Sequence, residues 1–120
     1  MIEADLREPS PVEQGVMRRL LTADFAGKEA LARQLDRCRV RIIDTEGTLL
    51  LEPSRDADPA VVLKRIPVEA EATDEDGIRI HFLLHVVGGF IRELEVYKDD
   101  GSRIKRMPRP DELAVIVLPR

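Results

Sequence analysis

The stretch TDEDGIRIHFLLHVVGGFIRELEVYK, residues 73–98, decides the fold. Ile78, Ile80, Phe82, Leu84 and Val86 alternate with Arg79, His81, Leu83, His85 and Val87. A period of two marks a strand with one buried face. Upstream, Val68, Ala70 and Ala72 alternate in the same way with Glu69, Glu71 and Thr73. Asp74-Glu75-Asp76-Gly77 between them is turn chemistry, with Gly free to take a positive φ. Pairing the two apolar rows sets Glu71 opposite Arg79 and Glu69 near His81, a register that opposite charges favour. Gly88-Gly89 then returns the chain into a third strand through Tyr97. Leu94 and Val96 face inward there, and Glu93, Glu95 and Tyr97 face outward. A loop over residues 88–90 with a left-handed glycine in a bulge pairs Leu84 with Leu94 and Phe82 with Val96. A slip of one residue would turn a whole strand inside out.

Working outward, Ser10-Pro11-Val12-Glu13 carries a helix start: a capping serine, a proline suited to the first turn and a glutamate placed to close a capping box. Val12, Val16 and Leu20 share a face of that helix, which ends near Leu21–Thr22. After Ala26-Gly27 a second helix runs from about Lys28 to Arg37, with Leu31, Leu35 and Cys38 as its apolar stripe. Arg39 to Ile43 and Leu49 to Leu51 are strand pieces joined by a turn at Thr45–Thr48. Residues 53–59, PSRDADP, form the longest polar loop and the best place for a binding loop. Leu113 to Leu118 is apolar on both faces, as an inner strand or a covered edge strand is. The sum is an α+β domain over residues 10–120, with residues 1–9 as a tail. Two N-terminal helices pack on one face of a mainly antiparallel sheet of five or six strands.

Composition limits function. The chain has 120 residues, 43% of them hydrophobic but only 3% aromatic, and a net charge of −4. One domain with an aliphatic core follows. A mild excess of acid argues against nonspecific binding to nucleic acid or to anionic membranes. No apolar run approaches the length of a membrane span, and Met1-Ile2-Glu3-Ala4-Asp5 is not a signal peptide. A single cysteine, Cys38, rules out an internal disulfide framework and points to a reducing compartment, the cytoplasm of a bacterium.

No motif names a reaction. His81 and His85 sit four residues apart on a strand, about 13 Å, too far to share one metal ion. Either imidazole beside a carboxylate, His81 with Glu69 or His85 with Glu93, makes a base–acid pair, but neither is offered a nucleophile. Cys38 lies on an apolar stripe and reads as a buried small hydrophobe. Asp74-Glu75-Asp76 lacks the alternating ligands of a calcium loop. Arg103, Lys105, Arg106 and Arg109 are balanced by neighbouring acids and have no interleaved aromatic on which a base would stack. No catalytic set, metal or cofactor is expected. The most informative surface is the outward row of Glu69, Glu71, Arg79, His81, His85, Glu93, Glu95 and Tyr97, a mixed-charge face suited to steering a protein partner or a second copy.

The chain over DEDGIRIHFLLHVVGGFIRELEVYKDDG resembles a family of small, uncharacterised bacterial α+β proteins. The shared pattern is Asp76-Gly77, Leu84-His85-Val86, Gly89, Glu93 to Tyr97 and Asp100-Gly101. It consists of turns and core positions, so the resemblance implies a fold and no activity. Immunity proteins of bacterial toxin systems are an analogy at the level of size, charge and class. Three functions stay open. The expected one is a non-catalytic interaction module, immunity-like or self-associating. The others are a small hydrolase or transferase using His81 or His85 with a carboxylate, and a small-ligand binder with a cavity between helices and sheet.

Overall fold

The computed structural model describes residues 6–117. Two helices, α1 (Pro11–Leu20) and α2 (Lys28–Asp36), precede β1 (Arg39–Ile42), β2 (Leu49–Glu52), β3 (Val68–Thr73), β4 (Arg79–Val87), β5 (Phe90–Lys98) and β6 (Ala114–Ile116). The six strands form one antiparallel sheet in the order β1-β2-β5-β4-β3-β6. Among the described residues, no helix is long and apolar enough to cross a membrane.

The capping box forms as the sequence requires. Ser10 Oγ accepts from the Glu13 amide and the Glu13 carboxylate accepts from the Ser10 amide. Val16, Met17 and Leu20 are buried, but Val12 is 49% exposed and does not join the apolar face assigned to it. It sits in the first turn, outside the contact that the next two turns make. From α2, Leu31 and Leu35 enter the core, with Cys38 just beyond. They join one hydrophobic cluster with Val68 and Ala70 of β3, Ile80, Phe82, Leu84 and Val86 of β4, and Leu94 and Val96 of β5.

Leu84 pairs with Leu94 and Phe82 with Val96, the register expected. The device that sets it differs. The loop is the two-residue Gly88-Gly89, with φ of 61° and 87°, and Val87 pairs with Phe90. Two consecutive positive φ angles make the tight turn whose twist suits a hairpin. The extra residue that restores parity is Arg92, bulged on β5 where the register shifts beside His85 and Val86. The three-residue bulged loop lies instead at the β3–β4 turn. There the Asp74 amide donates to the Ile78 carbonyl, and Gly77, with φ of 84°, donates to the Asp74 carbonyl. That loop moves the β3–β4 register by two residues from the one expected: Glu71 lies opposite His81, Thr73 opposite Arg79 and Glu69 opposite Leu83.

One further expectation changes, and one open choice closes. Within residues 1–9, read as a tail, Arg7 is tied to the sheet by exchanging backbone hydrogen bonds with Val40, and its guanidinium grips Glu13 at 2.7 Å and 2.9 Å. The apolar run from Leu113 is an edge strand and not an inner one. Its paired part, Ala114–Ile116, flanks only β3, and Ala114 is exposed. Leu118 lies outside the described residues.

Candidate functional site

Alternation along β3, β4 and β5 leaves the odd-numbered row off the core, so Glu69, Glu71, Arg79, His81, His85, Glu93, Glu95 and Tyr97 share the open face. Pairing then sorts them into clusters. His81 Nε2 lies 2.6 Å from Asp99 Oδ1, its Nδ1 lies 4.0 Å from Glu71, and its ring stacks on Tyr97 with centroids 4.8 Å apart. Arg79 reaches Glu71 at 3.8 Å. His85 Nε2 lies 2.8 Å from Glu95 Oε1, with Glu93 directly opposite in the ladder. The base–carboxylate pairs therefore exist, but with other acids: Asp99 instead of Glu69 for His81, and Glu95 instead of Glu93 for His85. Neither imidazole hydrogen-bonds to a serine, threonine or cysteine among the described residues. Burial, with the charges of Asp99, Glu95 and Glu69, pushes the Tyr97 hydroxyl above its ordinary pKa. Each of those carboxylates repels a phenolate on the same face.

The tightest polar cluster was not visible as a site in the sequence. Lys98 faces the core side of β5, in the row of Leu94 and Val96, and its side chain is 0% exposed. Its ammonium donates to Asp74 at 2.8 Å, to Asp76 at 2.6 Å and to the Arg103 carbonyl at 3.1 Å. Asp74, equally buried, also accepts from the amides of Glu75, Lys105 and Arg106. Burial acts against its charge, but the ammonium and the three amides more than offset it, and the carboxyl is held well below the usual carboxylate range. The acidic turn thus does collect a cation, from within the chain. The cluster fastens residues 103–106 over the end of the β3–β4 hairpin. Two backbone-bridging side chains were missed for the same reason, that polar residues were read as exposed. Gln34 of α2 donates to the carbonyls of Asp58 and Gly89 and accepts from the Ile91 amide. Thr48 exchanges hydrogen bonds with both backbone groups of Val96, where β2 has not yet begun.

The remaining candidates resolve as local structure. Cys38 is buried, and burial pushes its thiol up to about 11, away from nucleophilic use. Arg106 pairs with Glu112 and Glu75, and Arg109 with Asp111 and Glu112. A cleft of about 250 Å³ opens beside α1, lined mainly by apolar side chains including Val12, Ile42, Leu49, Phe82 and Met107.

These features define a small α+β protein with a charged, histidine-bearing open sheet face. The chain belongs to the family described as domain of unknown function DUF6984, whose match spans residues 6–108. No curated protein and no solved structure matches it.

Proposed function

We propose that this protein is a non-catalytic interaction module, with α1 and α2 covering one face of the sheet and the other face presented to a protein partner. One observation carries the reading: Glu69, Glu71, Glu93 and Glu95 crowd the open face of β3, β4 and β5 against two arginines of those strands, Arg79 and the bulged Arg92, with two histidines and Tyr97 beside them. Excess acid around aromatic rings suits a partner surface that carries lysine and arginine, and the Tyr97–His81 stack offers a flat amphipathic platform for it. The same excess opposes two copies meeting through this face, because like charges would be brought together. The lone thiol, buried Cys38, fits a reducing cytoplasm. An immunity-like role, in which an acidic face covers a basic toxin surface, is one form of this reading.

The test is affinity capture from the host with wild-type protein and with the Glu69→Lys/Glu71→Lys double variant. The wild type is expected to retain a basic partner that elutes with rising salt, and the variant, still folded by circular dichroism, to lose it. A wild-type chain that is monomeric and captures nothing, or a variant that captures the same protein equally, would overturn the reading.

A second reading rests on the apolar cleft beside α1. Its volume and lining suit a small apolar ligand. A catalytic reading has less support, since the ring nitrogens of His81 and His85 pair with carboxylates and, among the described residues, with no serine, threonine or cysteine.

A further inference from the structure

We infer that His85, Glu93 and Glu95 form a binding site for a divalent transition-metal ion on the open face of the β4–β5 hairpin. One ligand atom from each residue lies within 4.8 Å of the others. Zinc bonds of about 2.0–2.1 Å place tetrahedral ligands about 3.3 Å apart, so modest side-chain rotation closes the set. The Arg92 bulge supplies the geometry. A hairpin continuing directly from the Gly88-Gly89 turn would set Arg92 opposite His85; the bulge sets Glu93 there and turns Glu95 to the same side. Arg92 itself is drawn away, to Glu52 at 3.6 Å and over the Phe90 ring.

The pairing of the side chains suits a cation here. Among the described residues the Glu93 carboxylate has no hydrogen-bond or ion-pair partner, although it lies beside a second carboxylate. The His85 side chain is 14% exposed, and the ring nitrogen it turns to the acids is Nε2, 2.8 Å from Glu95 Oε1. A neutral imidazole with two carboxylates carries a charge of −2, which one divalent ion cancels. Nitrogen and carboxylate oxygen together suit zinc, cobalt or manganese better than calcium or magnesium. Three protein ligands leave a solvent-side position for water. His81, whose ring is engaged by Asp99 and Tyr97, takes no part. The site does not depend on the face having a protein partner.

The experiment is titration of the purified full chain with Zn²⁺ by calorimetry, and with Co²⁺ by visible absorption. Wild type and His81→Ala are each expected to bind one ion, with cobalt d–d bands appearing in step with saturation. His85→Ala and the near-isosteric Glu93→Gln are expected to weaken binding at least about tenfold, since even outer-sphere changes at metal sites cost that much. Glu93→Gln decides the matter if His85→Ala does not fold. Absence of saturable binding in the wild type, or undiminished binding in Glu93→Gln, would overturn the assignment.

Discussion

Gln34 shows how one polar side chain in the core ties elements together. Its carboxamide is 2% exposed, yet each end is satisfied: Nε2 by the Asp58 and Gly89 carbonyls, Oε1 by the Ile91 amide. It joins α2, the polar loop after β2 and the turn between β4 and β5. Substituting Gln34→Leu fills a similar volume but orphans the Ile91 amide and the Asp58 carbonyl. The Gly89 carbonyl keeps the Ala60 amide. Leaving buried groups unpaired costs about 1–3 kcal/mol, so the urea midpoint of Gln34→Leu should fall by that equivalent with m unchanged. Lys98 follows the same logic with charge. Alternation along β5 assigns it to the buried row, and a buried ammonium demands carboxylates; the acidic turn before β4 supplies them. Its placement was legible from parity, but its partners were not, because the sequence does not say that the Asp100-Gly101 turn folds beside the Asp76-Gly77 turn.

At the scale of elements, the sequence carried the β4–β5 pairing and the capped first helix, because a strict period of two and a capping box are local signals. The division of work between turns was hidden. Asp74-Glu75-Asp76-Gly77 and Gly88-Gly89 each admit more than one loop length, and only packing of the apolar rows selects among them. The selected turns differ in tolerance. Gly89 sits at φ of 87°, and a Cβ there would lie 2.6 Å from the Ala60 carbonyl oxygen. Gly88, at φ of 61°, has nothing within 4 Å of a Cβ. Gly89→Ala should therefore destabilise the protein by more than the roughly 1 kcal/mol typical of a glycine position, whereas Gly88→Asn, a residue at home in this turn, should lie within about 0.5 kcal/mol of wild type. Thermal melts of the two variants side by side check the order. For the edge strand the sequence left two readings open: an all-apolar run gives no period, so Leu113–Leu118 does not disclose that, among the described residues, Ala114–Ile116 alone pairs, and with β3.

For the whole molecule, the ionisable groups set a window of pH. Asp76, held by the Lys98 ammonium, Glu13, held by Arg7, and Glu112, held by Arg106, all titrate below their ordinary range, as does Asp74. A depressed folded-state pKa adds stability that is complete above the unfolded value, near 3.9 for Asp, and is lost as pH falls through the folded one. Asp74 and Lys98 are the fully buried pair, so they should dominate the acid arm, while the more exposed pairs are weakened by solvent screening. At the other end Lys98 and Cys38 are raised, as Tyr97 is. Burial opposes the Lys98 charge, but Asp74 and Asp76 more than compensate, and its stabilising contribution persists until pH rises through its elevated value. Cys38 moves from 9.0 to about 11 because burial penalises its thiolate. The unfolded chain therefore releases that proton first, and stability falls across this interval by about 2–3 kcal/mol, at about 1.4 kcal/mol per pH unit. Unfolding midpoints in urea should thus decline as pH falls below the carboxylate range and again as it rises above about 9. Lys98→Met should make the acid decline shallower, because Asp74 then gains from ionising in the fold only through the Glu75, Lys105 and Arg106 amides. Cys38→Ala should remove the part of the alkaline decline that begins near pH 9. A Lys98→Met protein with the wild-type acid slope would show that the exposed ion pairs, and not the buried cluster fastening the two turns, govern how this fold responds to acid.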